Sequence, residues 1–270
     1  MKHGVRLTVA YDGGGFAGFA AQPNVRTVQG VLAAAAERIC GHAVLVRGAS
    51  RTDAGVHAQG QVAAFACERE LAPERWVAAL NRYLPEDVAV RAAAPCDPEY
   101  NPRFDARDKT YRYLFYLGLV RDPLLRTRAW HPMKLLRRAA RSSAGIAELD
   151  LDAMRSACAA FTGTHDFRAF RGAADQRQST RRTLLRSSIL PDQQGDPALL
   201  AFEVQGEAFL FNMVRILAGS LLEVGRGRLS VDRLRALLEG PGERNENPAL
   251  TAPAHGLTLV DMRLGKLDAR

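Results

Sequence analysis

Apolar periodicity in this chain switches between a repeat of two and a repeat of 3.6, and the resulting order of elements runs loosely through the sequence twice. Val5, Leu7, Val9 and Tyr11 alternate with Arg6, Thr8 and Ala10, as a half-buried strand requires, and Asp12-Gly13-Gly14-Gly15 breaks the pattern. Val28, Val31, Leu32, Ala35 and Ile39 then recur at helical spacing as far as Gly41. Residues 43–46 and 61–66 read as strands on either side of a loop over 48–60. Pro73 opens a helix with Trp76, Leu80 and Leu84 on one face, and strands follow over 87–94 and 110–117. After a connection over 121–148 the order returns: a helix near 150–161, strands near 180–190 and 199–206, helices near 207–224 and 231–238, and a last strand over 257–262. The pattern implies an α/β (α+β) chain of two similar halves, each with helices on one face of a largely antiparallel or mixed sheet. The expected division is 1–105 and 106–270.

At 270 residues, 47% hydrophobic and 24% charged, the composition is that of a packed globular protein and argues against disorder. No apolar run approaches the ~18 residues of a membrane span. The first residues lead into a strand pattern rather than a signal-peptide core, so a cytoplasmic protein with no membrane partner is expected. Cys40, Cys67, Cys96 and Cys158 are scattered, without a C-x-x-C pair and without histidines at zinc spacing. Reduced, buried thiols are expected, and neither a metal nor another cofactor.

Lys and Arg number 37 against 29 Asp and Glu, a net charge of +8, which favours polyanionic partners. Its distribution is more informative than its total. Arg121, Arg126, Arg128, Lys134, Arg137, Arg138 and Arg141 face only Asp122 in one stretch; Arg171, Arg177, Arg181, Arg182 and Arg186 face only Asp175 in another. Arginines beside Trp130, Phe167 and Phe170 suit phosphate contact and base stacking, and two such clusters in one chain point toward nucleic acid. A solvated face is the alternative for either cluster alone.

The densest polar segment is Gly48-Ala49-Ser50-Arg51-Thr52-Asp53-Ala54-Gly55-Val56-His57-Ala58. A carboxylate such as Asp53 is ionised at neutral pH and serves as nucleophile or base when a cation holds it against a substrate. On spacing alone, a turn capped by Asp53 explains the segment as well. A Ser50/Asp53/His57 triad lacks the strand–elbow–helix setting of a serine nucleophile, so His57 reads as structural. Gly13-Gly14-Gly15 lacks the spacing of a phosphate cradle and reads as a turn.

Arg51-Thr52-Asp53-Ala54-Gly55-Val56-His57-Ala58 closely resembles the signature of the bacterial tRNA pseudouridine synthase A family. Val9-Ala10-Tyr11-Asp12-Gly13 and Thr27-Val28-Gln29-Gly30-Val31-Leu32 resemble that family's opening. Arg103-Phe104-Asp105-Ala106-Arg107 with Lys109-Thr110-Tyr111-Arg112-Tyr113 resembles its middle motif. Gly163-Thr164-His165-Asp166-Phe167, Phe209-Leu210-Phe211-Asn212-Met213-Val214-Arg215 and Ala252-Pro253-Ala254-His255-Gly256-Leu257 resemble its second half and closing strand. Phe19 followed by Ala20-Ala21 departs from the family, which often has a Trp after the opening glycine run.

The resemblance implies the pseudouridine synthase fold with a cleft between its halves, a homodimer, and isomerisation of uridine at positions 38, 39 and 40 of the tRNA anticodon stem-loop. It implies Asp53 as nucleophile, with Arg51 holding or replacing the flipped nucleotide. By the same resemblance Arg215 pairs with Asp53, Tyr111 stacks on the uracil, and Leu257 packs on the base's other side. Arg215 draws interest without the resemblance, because a cation on an apolar helix face (Phe211, Val214, Leu217) needs an anion. Tyr111 and Leu257 alone read as packed core. A non-catalytic RNA-binding protein, a hydrolase that releases uracil, and a synthase acting on another RNA stay open as alternatives.

Overall fold

A computed structural model describes residues 2–136, 149–191, 196, 198–240 and 242–265. Two compact units emerge: one up to Lys109 together with the chain from Thr258, the other Thr110–Leu257.

The first unit contains β1 (His3–Tyr11), α1 (Val28–Cys40), the short β2 (Arg47–Gly48), β3 (His57–Cys67), α2 (Pro73–Tyr83), β4 (Val88–Cys96), the one-turn α3 (Pro102–Asp105) and the start of β5 (Ala106–Tyr116). It also holds the final strand, β9 (Leu257–Leu264), from Thr258 on. Strand order is β4-β1-β3-β9, with β2 on β3. β1 lies antiparallel to β3 and β4, bringing Val5 opposite Phe65 and Pro95. β9 joins parallel, with His57 opposite Thr258 and Ala58 opposite Leu259. Counted with the second half on sequence order, β9 belongs to the first unit because β3 is its partner there. The expected alternation of β1 is met: Val5, Leu7, Val9 and Tyr11 are all buried. Trp76 of α2 covers that face, packing edge-on against Phe65 at 5.3 Å.

Helix α1 begins at the Thr27 cap, whose side chain accepts from the Gly30 N–H, and stops at left-handed Gly41. The strand expected over 43–46 does not form. The Val46 carbonyl instead accepts from Nε2 of Gln29 on α1, and the ladder starts only at Arg47.

The second unit holds most of β5, the one-turn α4 (Met133–Leu136), α5 (Leu151–Ala160), β6 (Gly163–Asp166), β7 (Arg181–Pro191), β8 (Leu199–Gly206), α6 (Met213–Gly225) and α7 (Val231–Glu239). Strand order is β5-β8-β7-β6, with β7 antiparallel to both neighbours. Both units are thus mixed α/β, as the periodicity implies. The helix expected from 207 begins at Met213, because Asn212 takes a left-handed conformation (φ 59°) that no helix can run through. Of the thirteen residues of α6, twelve are buried and Arg215 alone is not.

The connection after β5 is anchored where it can be described. Trp130 is buried, donates its N–H to the Leu114 carbonyl and accepts from the Tyr116 N–H. Arg121, Arg126 and Arg128 are exposed; Arg137, Arg138 and Arg141 lie outside the described residues. None of the four cysteines is in a disulfide: Cys67 and Cys158 are buried, Cys40 and Cys96 half-buried. Among the described residues no helix is long and apolar enough to cross a membrane.

Candidate active site

Asp53 stands in the loop that runs from β2 to β3, and backbone bonds fix that loop on both sides of it. Upstream, the Thr52 carbonyl accepts the Phe19 N–H at 3.1 Å; downstream, Val56 donates its N–H to the Asp53 carbonyl at 3.1 Å. Gly55 turns the chain at φ +79°, a conformation that side chains disfavour. Gly13 packs directly on the same loop: a Cβ there would lie 2.0 Å from the Val56 carbonyl oxygen. The glycine run after β1 is therefore a close-approach turn, as its spacing suggests. Asp12 caps it by accepting the Gly14 N–H at 2.9 Å.

Three side chains within this unit complete the support. Gln61, fully buried on β3, accepts the Ser50 N–H through Oε1 at 3.2 Å and donates through Nε2 to the Ser50 carbonyl at 2.8 Å. The same Nε2 lies 3.3 Å from the Tyr11 hydroxyl, which is 2.7 Å from the Thr52 hydroxyl. Residues 50 and 52 are thereby held from below, while Arg51 between them is exposed and Asp53 half-buried. His57 is buried and accepts the Gly13 N–H at Nδ1, at 3.1 Å, with Asp12 Oδ1 at 3.2 Å from the same nitrogen. Its role here is to join β3 to the glycine turn, in keeping with a structural histidine.

Arg215, Tyr111 and Leu257 belong to the second unit. Arg215 donates from Nε to the Ala252 carbonyl at 2.7 Å and from Nη1 to Oδ1 of Asn212 at 2.8 Å, so the guanidinium is anchored at two of its three nitrogens. Left-handed Asn212 thus serves a purpose beyond starting α6. Next to Ala252, the Pro253 carbonyl accepts the Tyr113 hydroxyl at 2.9 Å, and Gly256 lies flat on the Tyr113 ring. Burial pushes the Tyr113 phenol well above its ordinary value, so it stays a neutral donor. The segment 252–257, which ends at buried Leu257, is therefore pinned both to α6 and to β5. Tyr111, two residues before Tyr113 on the same face of β5, is buried and meets Phe209 edge-on at 5.0 Å.

The second arginine cluster divides by role. Arg177 donates to the Phe209 carbonyl at 2.7 Å and lies 3.4 Å from Asp175, while Arg181 and Arg186 of β7 are exposed. Burial, with Arg177 nearby, lowers the Arg182 guanidinium below its ordinary value. Among the described residues no group of three or more His, Cys, Asp or Glu is placed to hold a metal ion.

Sequence reasoning missed Gln61, Tyr11 and Asp175. The first had a signal: an amide at the head of an otherwise apolar strand needs internal partners.

Comparison with known proteins adds an independent line. A family model described as tRNA pseudouridine synthase matches residues 7–105 and again 157–264. Over 258 residues the chain is 42% identical to a tRNA pseudouridine synthase A of Pelobacter propionicus, covering 96% of this chain and 98% of that one. A tRNA pseudouridine synthase A of Citrifermentans bemidjiense is 41% identical, covering 96% of each chain. That of Acetivibrio thermocellus is 36% identical, covering 96% and 98%.

Proposed function

The chain belongs to the tRNA pseudouridine synthase family, and from that premise we propose that Asp53 is the nucleophile with which it isomerises uridine to pseudouridine at positions 38, 39 and 40 of the anticodon stem-loop. The isomerisation breaks the bond from C1′ to N1, turns the base, joins C5 to C1′ and moves the C5 proton to N1. Atoms and electrons balance without redox change, so the reaction calls for no cofactor. A carboxylate attacking at C1′ or at the pyrimidine ring satisfies this balance equally.

Arg51 holds or replaces the flipped nucleotide, which must leave its stack before any side chain reaches it. Arg215 supplies the cation that keeps the carboxylate ionised. Tyr111 stacks on the uracil and Leu257 packs against its other side. The first unit, with its carboxylate loop, and the second, with its basic stretches, act as halves of one RNA-binding enzyme. The protein works in the cytoplasm as a homodimer, and a sedimentation mass of two chains checks that.

One observation carries the reading: Asp53 sits in a loop whose neighbours are fixed by bonds from three directions, while the adjacent Arg51 is exposed. Preorganisation of this kind serves a reacting group better than a plain turn. The test incubates unmodified tRNA transcript with the wild type and with Asp53→Ala, then maps pseudouridine by base-specific chemistry. Pseudouridine at 38–40 with wild type alone is expected. Released uracil would instead indicate a hydrolase, and tight binding without any altered base a binding protein.

A further inference from the structure

We propose that Gln61 and Tyr11 are positioning residues for the reaction, setting the place of Asp53 through a relay of hydrogen bonds; this rests on the reading of Asp53 as nucleophile. The amide of Gln61 bonds both backbone polar groups of Ser50, as a neighbouring strand would. It does so just past the end of β2, one residue beyond the backbone bond from the Ala49 N–H to the Val62 carbonyl. The relay continues from Nε2 to the Tyr11 hydroxyl at 3.3 Å and from there to the Thr52 hydroxyl at 2.7 Å. Thr52 is the residue before Asp53, so its anchor fixes the direction in which the chain delivers the carboxylate.

Position in the sheet makes this relay a rigid datum. Gln61 is fully buried at the centre of the first unit's sheet, opposite Val9 in the β1–β3 ladder. Between Val9 and Tyr11 the register of that ladder shifts. From Gln61 to Ala58 β3 takes three steps where β1 takes two from Val9 to Tyr11, so the extra residue lies in β3 beside Gln61 and re-aims that strand, while Tyr11 keeps the alternation of β1. A buried amide satisfied on both its atoms adds orientation that an apolar residue of equal volume would not. Neither residue needs to touch RNA to act.

The two side chains transmit position, not binding, so their loss separates kcat from KM. Tyr11→Phe keeps the ring and removes only the hydroxyl. Gln61→Glu keeps the shape and turns the donor into an acceptor, so the Ser50 carbonyl loses its partner and the carboxylate takes the Tyr11 proton away from Thr52. When that Glu is protonated, a donor is restored.

The experiment measures kcat and KM for pseudouridine formation on unmodified tRNA transcript, with tRNA affinity and melting temperature, for wild type, Asp53→Asn, Tyr11→Phe and Gln61→Glu. Tyr11→Phe is expected to lower kcat by about ten- to a hundredfold, the scale of a small misplacement of a reacting group, with KM and affinity within about twofold. Relative to wild type, kcat of Gln61→Glu is expected to rise as pH falls from about 8 to about 5.5, since burial lifts the titration of the new carboxyl. Unchanged kcat in Tyr11→Phe, with wild type active and Asp53→Asn inactive, overturns the positioning role and leaves the nucleophile intact. So does a fall in affinity that matches the fall in kcat. Turnover retained by Asp53→Asn overturns the nucleophile, and the relay's purpose with it.

Discussion

Asp175 accepts the backbone N–H of Phe211 at 2.7 Å across 36 residues of sequence, and that of Arg177 at 3.0 Å. This carboxylate is therefore a tie between the basic segment after β6 and the approach to α6. The Gly172 N–H donates to the Phe211 carbonyl at 2.8 Å, and Arg177 reaches the Phe209 carbonyl, closing the same junction. Phe209 in turn abuts Tyr111. In the sequence Asp175 is only the lone negative charge of a positive cluster.

Replacing Asp175 by Asn should destabilise the fold by about 2 kcal/mol, the scale of hydrogen bonds to a charged acceptor. Burial opposes the charged form, yet the N–H groups of Phe211 and Arg177, helped by the charge of Arg177, hold the carboxyl below its ordinary value. The native value is thus below the unfolded one of ~3.9. The stabilisation is complete above that pH and is lost as pH falls through the lower native value. Urea unfolding of both proteins from pH 7 downward checks this: the gap should hold to about pH 4 and close below it.

Arg215→Lys should cost rate as well as stability. An ammonium cannot span the Ala252 carbonyl and the Asn212 side chain in the fixed fork that guanidinium uses. Losing one charge-assisted bond, about 1.5–3 kcal/mol, corresponds to about ten- to a hundredfold in turnover if it acts in the transition state. Single-turnover kinetics on tRNA, beside a melting curve, separates the two effects. Full turnover in the Lys variant would remove Arg215 from the catalytic group.

The parts of the fold that were legible are those with local causes. Helix α1 is bracketed by Thr27 and Gly41, and α2 by Pro73 and an apolar stripe, so spacing and caps suffice. Three features were hidden because their causes are remote or brief. The parallel seat of β9 beside β3 depends on a pairing across about two hundred residues. β6 is only four residues long, too short for its period to register. The start of α6 is set by left-handed Asn212, whose side chain holds Arg215, in a stretch otherwise as apolar as the helix. The site divides the same way. Asp53 read from spacing alone is a turn residue, and the nucleophile proposed for it rests on resemblance, because the bonds that Gln61 and Tyr11 make around its loop are displayed by no sequence interval.

Gly13→Ala should damage the loop without removing any polar group. Its methyl would overlap the Val56 carbonyl oxygen, a backbone atom that can retreat only by moving the loop itself. Such overpacking costs about 1–3 kcal/mol. Because Val56 donates to the Asp53 carbonyl, the displacement reaches the carboxylate. A lower melting temperature together with reduced turnover is expected, while Gly14→Ala, whose Cβ would meet only the Asp12 side chain at 3.1 Å, should be mild by comparison.

Salt dependence distinguishes the arginines that face solvent from those that hold the fold. Arg181 and Arg186 are exposed on β7, and phosphate neutralised by such groups releases counterions, so affinity falls steeply as salt rises. Replacing either by Ala should lower the slope of log affinity against log salt by about 1, with the melting temperature unchanged. Arg177→Ala should behave differently, since that side chain also bonds the Phe209 carbonyl and lies beside Asp175. It should lower the melting temperature as well as the slope. Filter binding of tRNA at several salt concentrations reads all three variants. A slope unmoved by Arg181→Ala and Arg186→Ala would place the RNA elsewhere on the protein, with the exposed Arg121, Arg126 and Arg128 as the next basic group to test by the same measurement.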